Sequence, residues 1–195
     1  MGAATILALT VIVSVAGLFY RKIIELAMLR PYLVARRTGY AGLVTSGFVH
    51  ADIGHLLFNL ITFYSFAFPL ERTIGTMRFV VLYFAGLLIS NIGTCVKQRD
   101  NPNYASLGAS GAILAVLFAF IVYYPRQRLV ILPLPIPIPA PLFALAYLGF
   151  SYYSSRQSKD RINHDAHIFG ALTGIAFVIV TDPQSFLALL HSLTA

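Results

Sequence analysis

Four polar side chains stand inside otherwise apolar stretches of this chain: Ser110 in GASGA, His167 in AHIFGALTG, and His55 with Asn59 in HLLFN. Polar groups are costly in such surroundings and mark function by default. Their types point to nucleophilic chemistry. A serine hydroxyl is a weak nucleophile until a base takes its proton, and histidine is the usual base near neutral pH. A serine that opens a helix also has backbone N–H groups with no helical carbonyl to satisfy them, and these suit an oxyanion. His55 and Asn59 share one helix face and add side-chain donors. Gly108, Ala109 and Gly111 leave room for a substrate backbone beside Ser110. Ala166, Gly170 and Gly174 recur every four residues, a seam of small residues along which another helix packs closely. If that partner is the helix carrying Ser110, His167 is brought to the serine.

Holding these groups together is a task for membrane helices. Of 195 residues, 58% are hydrophobic and 11% charged, against about 25% charged in a soluble domain. Mean hydropathy is +0.78. A soluble globule could not cover its surface with so few charges, and a disordered chain would be poorer in apolar residues. An integral, all-α membrane protein remains. Six stretches hold no Asp, Glu, Lys or Arg: Ala3–Tyr20, Ile53–Leu70, Phe79–Val96, Gly108–Tyr124, Pro139–Ser155 and Ala166–Thr181. They are slightly shorter than the roughly 20 residues a spanning helix needs, but each has apolar or interfacial neighbours to borrow. They lack the alternation of barrel strands. The expectation is a six-helix membrane bundle forming one domain over residues 1–195. Consecutive helices alternate in direction, so the second, fourth and sixth enter from one face. All four polar residues lie in the early turns of those three helices.

The connections differ in kind. The first span lacks a basic segment ahead of it, so it reads as a helix rather than a signal peptide. The segment from Arg21 to Val49 mixes basic residues with apolar pieces such as Pro31–Ala35 and Ala41–Val44. It reads as a membrane-associated first loop. Leu132–Pro141, LPLPIPIPAP, holds half of the ten prolines and predicts an extended connection. Pro141 then opens a fifth helix of about 15 residues, roughly 22 Å, expected to be the most loosely held. The fourth helix, if it starts at Ser110, is also roughly 22 Å long. Ser110 then lies below the near surface of a core about 30 Å thick. The loop ahead of it must dip inward, under a water-filled cavity.

The motifs HxxxN at His55–Asn59, GxSG at Gly108–Gly111 and AHxxGxxxG at Ala166–Gly174 occur in this order on these spans. Together they resemble the rhomboid intramembrane serine proteases, from about Tyr32 to Thr181. Glu71, Arg72 and Gly75 are similar to that family's ExxxG turn. The resemblance implies a Ser–His dyad, with Ser110 as nucleophile and His167 as general base and then acid. It implies an oxyanion hole of His55, Asn59 and the Ser110 N–H. It also implies single-pass membrane proteins as substrates, a fifth helix acting as side gate, and no metal or organic cofactor. Two departures stand out. The place of an aromatic–arginine pair in the first loop holds Ala41 and Gly42, and the chain has no Trp. A tyrosine that stacks on the histidine in some relatives is replaced by Leu114, so His167 must be braced in another way.

Plainer readings stand beside these. His50 either lines the cavity or sits at the interface. Asn91 reads as a helix–helix hydrogen bond. Asp165, two residues from His167, points to a different helix face and makes a poor third triad member. His164, Asp165 and His167 are too few and too close in sequence for a metal site. Tyr83, Phe84, Tyr152 and Tyr153 read as lipid-facing or interfacial. Arg156–Arg161 reads as a solvated loop, and Pro183–Ala195 as an amphipathic surface helix containing His191. The net charge of +7 marks basic loops against the lipid bilayer rather than a nucleic-acid partner. Cys95, alone, forms no internal disulfide. A non-catalytic binder of client helices is the alternative function, and a transporter is disfavoured for want of midplane charges and matched broken repeats.

Orientation divides two arguments. Lys and Arg at 21–37, 97–99 and 156–161 share the face of the site, whereas Arg72, Arg78, Arg126 and Arg128 lie opposite. That asymmetry assigns the site face to the cytoplasm. The resemblance implies the reverse, a bacterial cell membrane with both termini inside. It carries more weight, because the first-loop charges lie on a membrane-associated segment. Substrate identity and oligomeric state are not readable from the sequence.

Overall fold

A computed structural model describes residues 1–131, 134–157 and 162–194. Its helices are α1 (Gly2–Phe19), α2 (Arg21–Ala27), α3 (Pro31–Ala35), α4 (Gly42–Thr45), α5 (Ile53–Ile74), α6 (Thr76–Gln98), α7 (Ser110–Tyr123), α8 (Ala140–Gln157), α9 (His164–Thr181) and α10 (Pro183–Thr194). A 3-10 turn at Ser46–Phe48 and a hairpin of β1 (Arg128–Ile131) and β2 (Leu134–Pro139) complete the described elements. The charge-free stretches fall on α1, α5, α6, α7, α8 and α9. Among the described residues, α1, α5, α6 and α9 are long and apolar enough to cross a membrane. The chain is thus a helical membrane bundle. α7 has only 14 residues. α8 has 18, but ends in the polar run Ser154, Ser155, Arg156 and Gln157.

α7 explains its own composition. A helix that is apolar on every side must be surrounded, and every residue from Gly111 to Val122 is buried. α5, α6 and α9 enclose it. Small residues set how closely they approach. A Cβ on Gly170 would collide with the Gly111 carbonyl, and one on Gly174 with the Ala115 carbonyl. Gly86 on α6 likewise faces Ala115, and Gly93 faces the Phe169 ring. The outward side of α5 shows Leu57, Phe58, Ile61 and Tyr64, all exposed and suited to lipid.

The turn between α5 and α6 rests on Gly75, whose φ of 80° an L side chain rarely adopts. Glu71, one turn earlier, accepts from the backbone N–H of Gly2 (2.7 Å) and Ala3 (3.2 Å) and from the Thr76 hydroxyl (2.8 Å). A carboxylate thus satisfies the unpaired donors that open α1 and complements the helix dipole there.

The first loop is anchored by polar contacts, and its aromatic–arginine pair stands outside the places of Ala41 and Gly42: Arg36 lies over the Tyr32 ring at 3.4 Å and donates to the Arg99 carbonyl at 3.4 Å. Asn91 donates from Nδ2 to the Leu43 carbonyl (2.8 Å) and to Ser46 Oγ (3.1 Å). It therefore makes the expected helix–helix hydrogen bond, with its partner on the short α4 of the first loop rather than on another span. Thr45 donates to the Ala27 carbonyl at 2.8 Å, and Ser14 on α1 donates to the Phe48 carbonyl at 2.8 Å. Gly42 and Gly47 let the loop lie against Leu29 and Leu87.

Other expectations change. Tyr83 is not lipid-facing: it is fully buried, with ring edges of Phe63 and Phe84 against it. Tyr152 and Tyr153 are exposed. The proline-rich run is extended, but it also pairs. β2 runs antiparallel to β1, with Arg128 opposite Pro139, Leu129 opposite Ile138 and Val130 opposite Pro137. Proline at every second position leaves Leu134, Ile136 and Ile138 with N–H groups for pairing, which is how an edge strand tolerates it. Leu132 and Pro133 lie outside the described residues, as does 158–161 of the segment read as a solvated loop. α8 starts at Ala140 rather than Pro141 and buries only Ala140 and Ser151. α10 sets Phe186 and Leu189 on the core and exposes Leu187, Leu190 and Leu193.

Candidate active site

Ser110 is the first residue of α7, and the backbone ahead of it makes the site. Gly108 has φ 110°, a conformation open in practice only to glycine. Its N–H donates to the Ser46 carbonyl at 2.9 Å. A Cβ here would come within 2.7 Å of His55 Cε1 and 2.8 Å of His55 Nε2. Glycine at 108 therefore lets the His55 ring lie against the chain two residues before the serine. One further pairing holds this loop. Leu29 and Ser106 exchange both backbone hydrogen bonds, at 2.8 and 2.9 Å, so the first loop clamps the serine loop directly.

His167 faces the serine from the first turn of α9. Its Nε2 lies 3.0 Å from Ser110 Oγ. Its Nδ1 lies 3.0 Å from the Tyr147 hydroxyl of α8, and the two rings are stacked at 28° with centroids 6.3 Å apart. For Nε2 to accept the serine proton, Nδ1 must carry the ring hydrogen and donate it to the tyrosine oxygen. Asn163 sets where α9 begins. Its side-chain oxygen accepts from the Ala166 N–H (3.1 Å), an N-cap,. Its Nδ2 donates to Thr94 Oγ1 on α6 (2.8 Å) and to Ser106 Oγ (3.3 Å). Asp165 turns away from His167 and pairs with Lys97 of α6.

Opposite the histidine lie the candidate oxyanion donors. Asn59 is buried, and among the described residues its Nδ2 has no hydrogen-bond partner. It lies 3.9 Å from where a Gly108 Cβ would be. A buried donor left unpaired costs about 1–3 kcal/mol, so its retention beside Gly108 calls for an acceptor arriving there. The first-turn N–H groups of α7 have no helical carbonyl to bond. Behind His55 sits His50, fully buried, its ring 4.9 Å from that of His55 at 76°. Ser14 Oγ lies 2.8 Å from His50 Nδ1. Since the Ser14 hydrogen goes to the Phe48 carbonyl, the serine oxygen accepts from Nδ1–H. Burial, with His55 beside it, pushes His50 down to about 3. His50 is thus a neutral wedge behind the site and not an interfacial group.

The structure brings Ser110, His167, His55, Asn59 and Gly108 to one place. Gly111 sits one step away, against Ser90 and the Ala166 carbonyl, so its lack of a side chain serves helix packing. Gly170 and Gly174 form the seam behind it. Tyr147, Asn163, Ser46 and Ser106 belong to the same assembly and carry no motif. Only the vacancy left by Leu114 signalled that something must brace His167.

A family model described as Rhomboid domain matches residues 37–183. "Putative rhomboid protease YdcA" of Bacillus subtilis is 34% identical over 144 residues, covering 73% of this chain and 68% of that protein. "RHOMBOID-like protein 12, mitochondrial" of Arabidopsis thaliana is 28% identical over 184 residues, covering 84% of this chain and 54% of that protein. "Presenilin-associated rhomboid-like protein, mitochondrial" of Homo sapiens is 31% identical over 138 residues, covering 70% of this chain and 36% of that protein. The chain therefore spans about two thirds of the first relative, about half of the second and about a third of the third.

Proposed function

The chain belongs to the rhomboid family, and from that premise we propose that it is an intramembrane serine endopeptidase. The observation that carries this reading is the 3.0 Å approach of His167 Nε2 to Ser110 Oγ, next to the buried Asn59 amide, whose Nδ2 has no partner among the described residues. The name of the Bacillus subtilis relative supports the same activity.

In this reading His167 Nε2 takes the Ser110 proton as Oγ attacks the scissile carbonyl. The carbonyl oxygen gains a negative charge. Asn59 Nδ2, the His55 ring N–H and the backbone N–H at the start of α7 stabilise it more strongly than they would the ground-state carbonyl. The tetrahedral species collapses, the C–N bond breaks, and His167 returns the proton to the leaving amine. Water from above Ser110 repeats the sequence on the acyl-enzyme and restores the serine. The substrates are single-pass membrane proteins, whose helical segment must unwind locally to offer its backbone to Ser110. Six membrane-crossing helices, with α7 the short one at 14 residues, suit this task. The short α7 keeps Ser110 below the surface. The reading places the protein in a bacterial cell membrane, with the lipid bilayer as its solvent and no nucleic-acid partner.

The test is labelling of detergent-purified protein with a fluorophosphonate probe, paired with co-expression of single-pass proteins. Wild type is expected to label and cleave, and Ser110→Ala to do neither. Retained labelling in Ser110→Ala would remove the serine from its role. Labelling-negative wild type that still captures intact client helices would favour a non-catalytic binder.

A further inference from the structure

α8 is the least embedded of the long helices, yet it supplies a side chain bonded to the outer nitrogen of His167. α8 buries only Ala140 and Ser151, and its Leu142, Leu145 and Phe150 are exposed. Tyr147, on its inner side, packs against Phe118 of α7 and stacks with Phe143, one turn earlier. Its hydroxyl reaches His167 Nδ1 at 3.0 Å. Leu114, on α7 one turn past Ser110, is aliphatic and can offer the imidazole no acceptor.

We propose that Tyr147 is the positioning residue for His167, and that it makes the competence of the Ser110–His167 pair depend on the docking of α8. The inference rests on the protease reading for its kinetic part only. A neutral imidazole has two tautomers, and only the one with hydrogen on Nδ1 can accept at Nε2. In the proposed arrangement the Tyr147 oxygen accepts from Nδ1–H, which favours that tautomer and fixes the ring plane toward Ser110. Because the oxygen rides on α8, tilting that helix outward withdraws it. The base then loses its orientation while the side of the bundle is open, and regains it when α8 closes on a bound segment. Chemistry is thereby confined to the closed state.

Two readouts separate this role from simple packing. In protein labelled with nitrogen-15 at histidine, His167 is identified as the signal lost in His167→Ala. Wild type is expected to show one tautomer, hydrogen on Nδ1. Tyr147→Phe keeps the ring stack and removes the hydroxyl, and is expected to show a mixture. Phe143→Ala, which loosens α8 without removing the hydroxyl, should move the signal the same way by a smaller amount. In cleavage assays Tyr147→Phe should lower kcat about five- to tenfold with KM within about twofold, the size expected for one hydrogen bond. The exposed Tyr153→Phe on the same helix should match wild type. A wild-type His167 signal in Tyr147→Phe overturns the proposal whether or not the protein is an enzyme. An altered signal in Tyr147→Phe with none in Phe143→Ala overturns the dependence on α8. If wild type neither labels nor cleaves, the protease reading fails while the tautomer measurement still decides the positioning role.

Discussion

The two sides of Ser110 are built on opposite principles. On one side α7 meets α6 and α9 through glycines, with backbone lying on backbone. Gly170 and Gly174 sit against carbonyls of Gly111 and Ala115, and α7 shows no exposed residue from Gly111 to Val122. On the other side α8 follows a proline-rich hairpin and touches the bundle through few buried residues. Ser110 and His167 come from the first side, and His55 and Asn59 stand on α5, which also packs on α7. The partner of the base comes from the second. Close packing holds reacting atoms within tenths of an ångström and has few alternative arrangements. A sparsely packed helix moves at low cost. The site thus combines a fixed geometry with a removable support.

The largest effect is expected where the packing is closest. Gly170→Val should destabilise the bundle by about 3 kcal/mol or more, since its side chain has only the Gly111 backbone to displace. Thermal unfolding in detergent reads this, and a wild-type midpoint would dissolve the contrast between the two sides. Next, Asn59→Ala should leave the fold intact and reduce kcat about a hundredfold, the cost of one oxyanion donor. An unchanged kcat would mean that the buried amide has another purpose. Asn91→Ala should cost about 1–2 kcal/mol by freeing the Leu43 carbonyl and Ser46. Limited proteolysis within residues 36–49 should become faster, and resistance equal to wild type would mean that the glycine contacts alone hold the first loop. Smallest of all, Leu145→Ala on the outward face of α8 should change stability by less than about 0.5 kcal/mol. A loss as large as that of Gly170→Val would show α8 to be as firmly embedded as α9.

How much of this was legible follows the same division. The firm side rests on residue spacing: small residues every four positions, a histidine one residue after the first of them, and HxxxN one helix away. Such periodicities survive in sequence because a helix makes them neighbours. The short length of α7 was also readable, but not its central place among α5, α6 and α9. Nor was the support. Tyr147 is one of eleven tyrosines, with nothing in its local sequence to set it apart, and its meeting with His167 depends on how α8 leans. Asn163 caps α9 and holds Thr94 and Ser106 together, but as a lone asparagine ahead of a helix it announces only the cap. Tyr83 looked like an interfacial aromatic because composition does not say which face of α6 turns inward. The prolines forecast extended chain correctly, while the pairing with β1 was hidden because proline lacks the N–H that a strand ladder uses.

The order of these elements along the chain has a consequence for how the protein comes into being. Ser110 and His167 lie 57 positions apart, and α7 is synthesised well before α9. While the ribosome is still extending the chain, the serine-bearing helix can enter the bilayer beside α5 and α6, but the imidazole does not yet exist in the membrane. In the protease reading, Ser110 has no base until α9 packs its glycines along α7. If the chain is the protease proposed above, it stays harmless among other unfinished membrane proteins until this glycine seam closes.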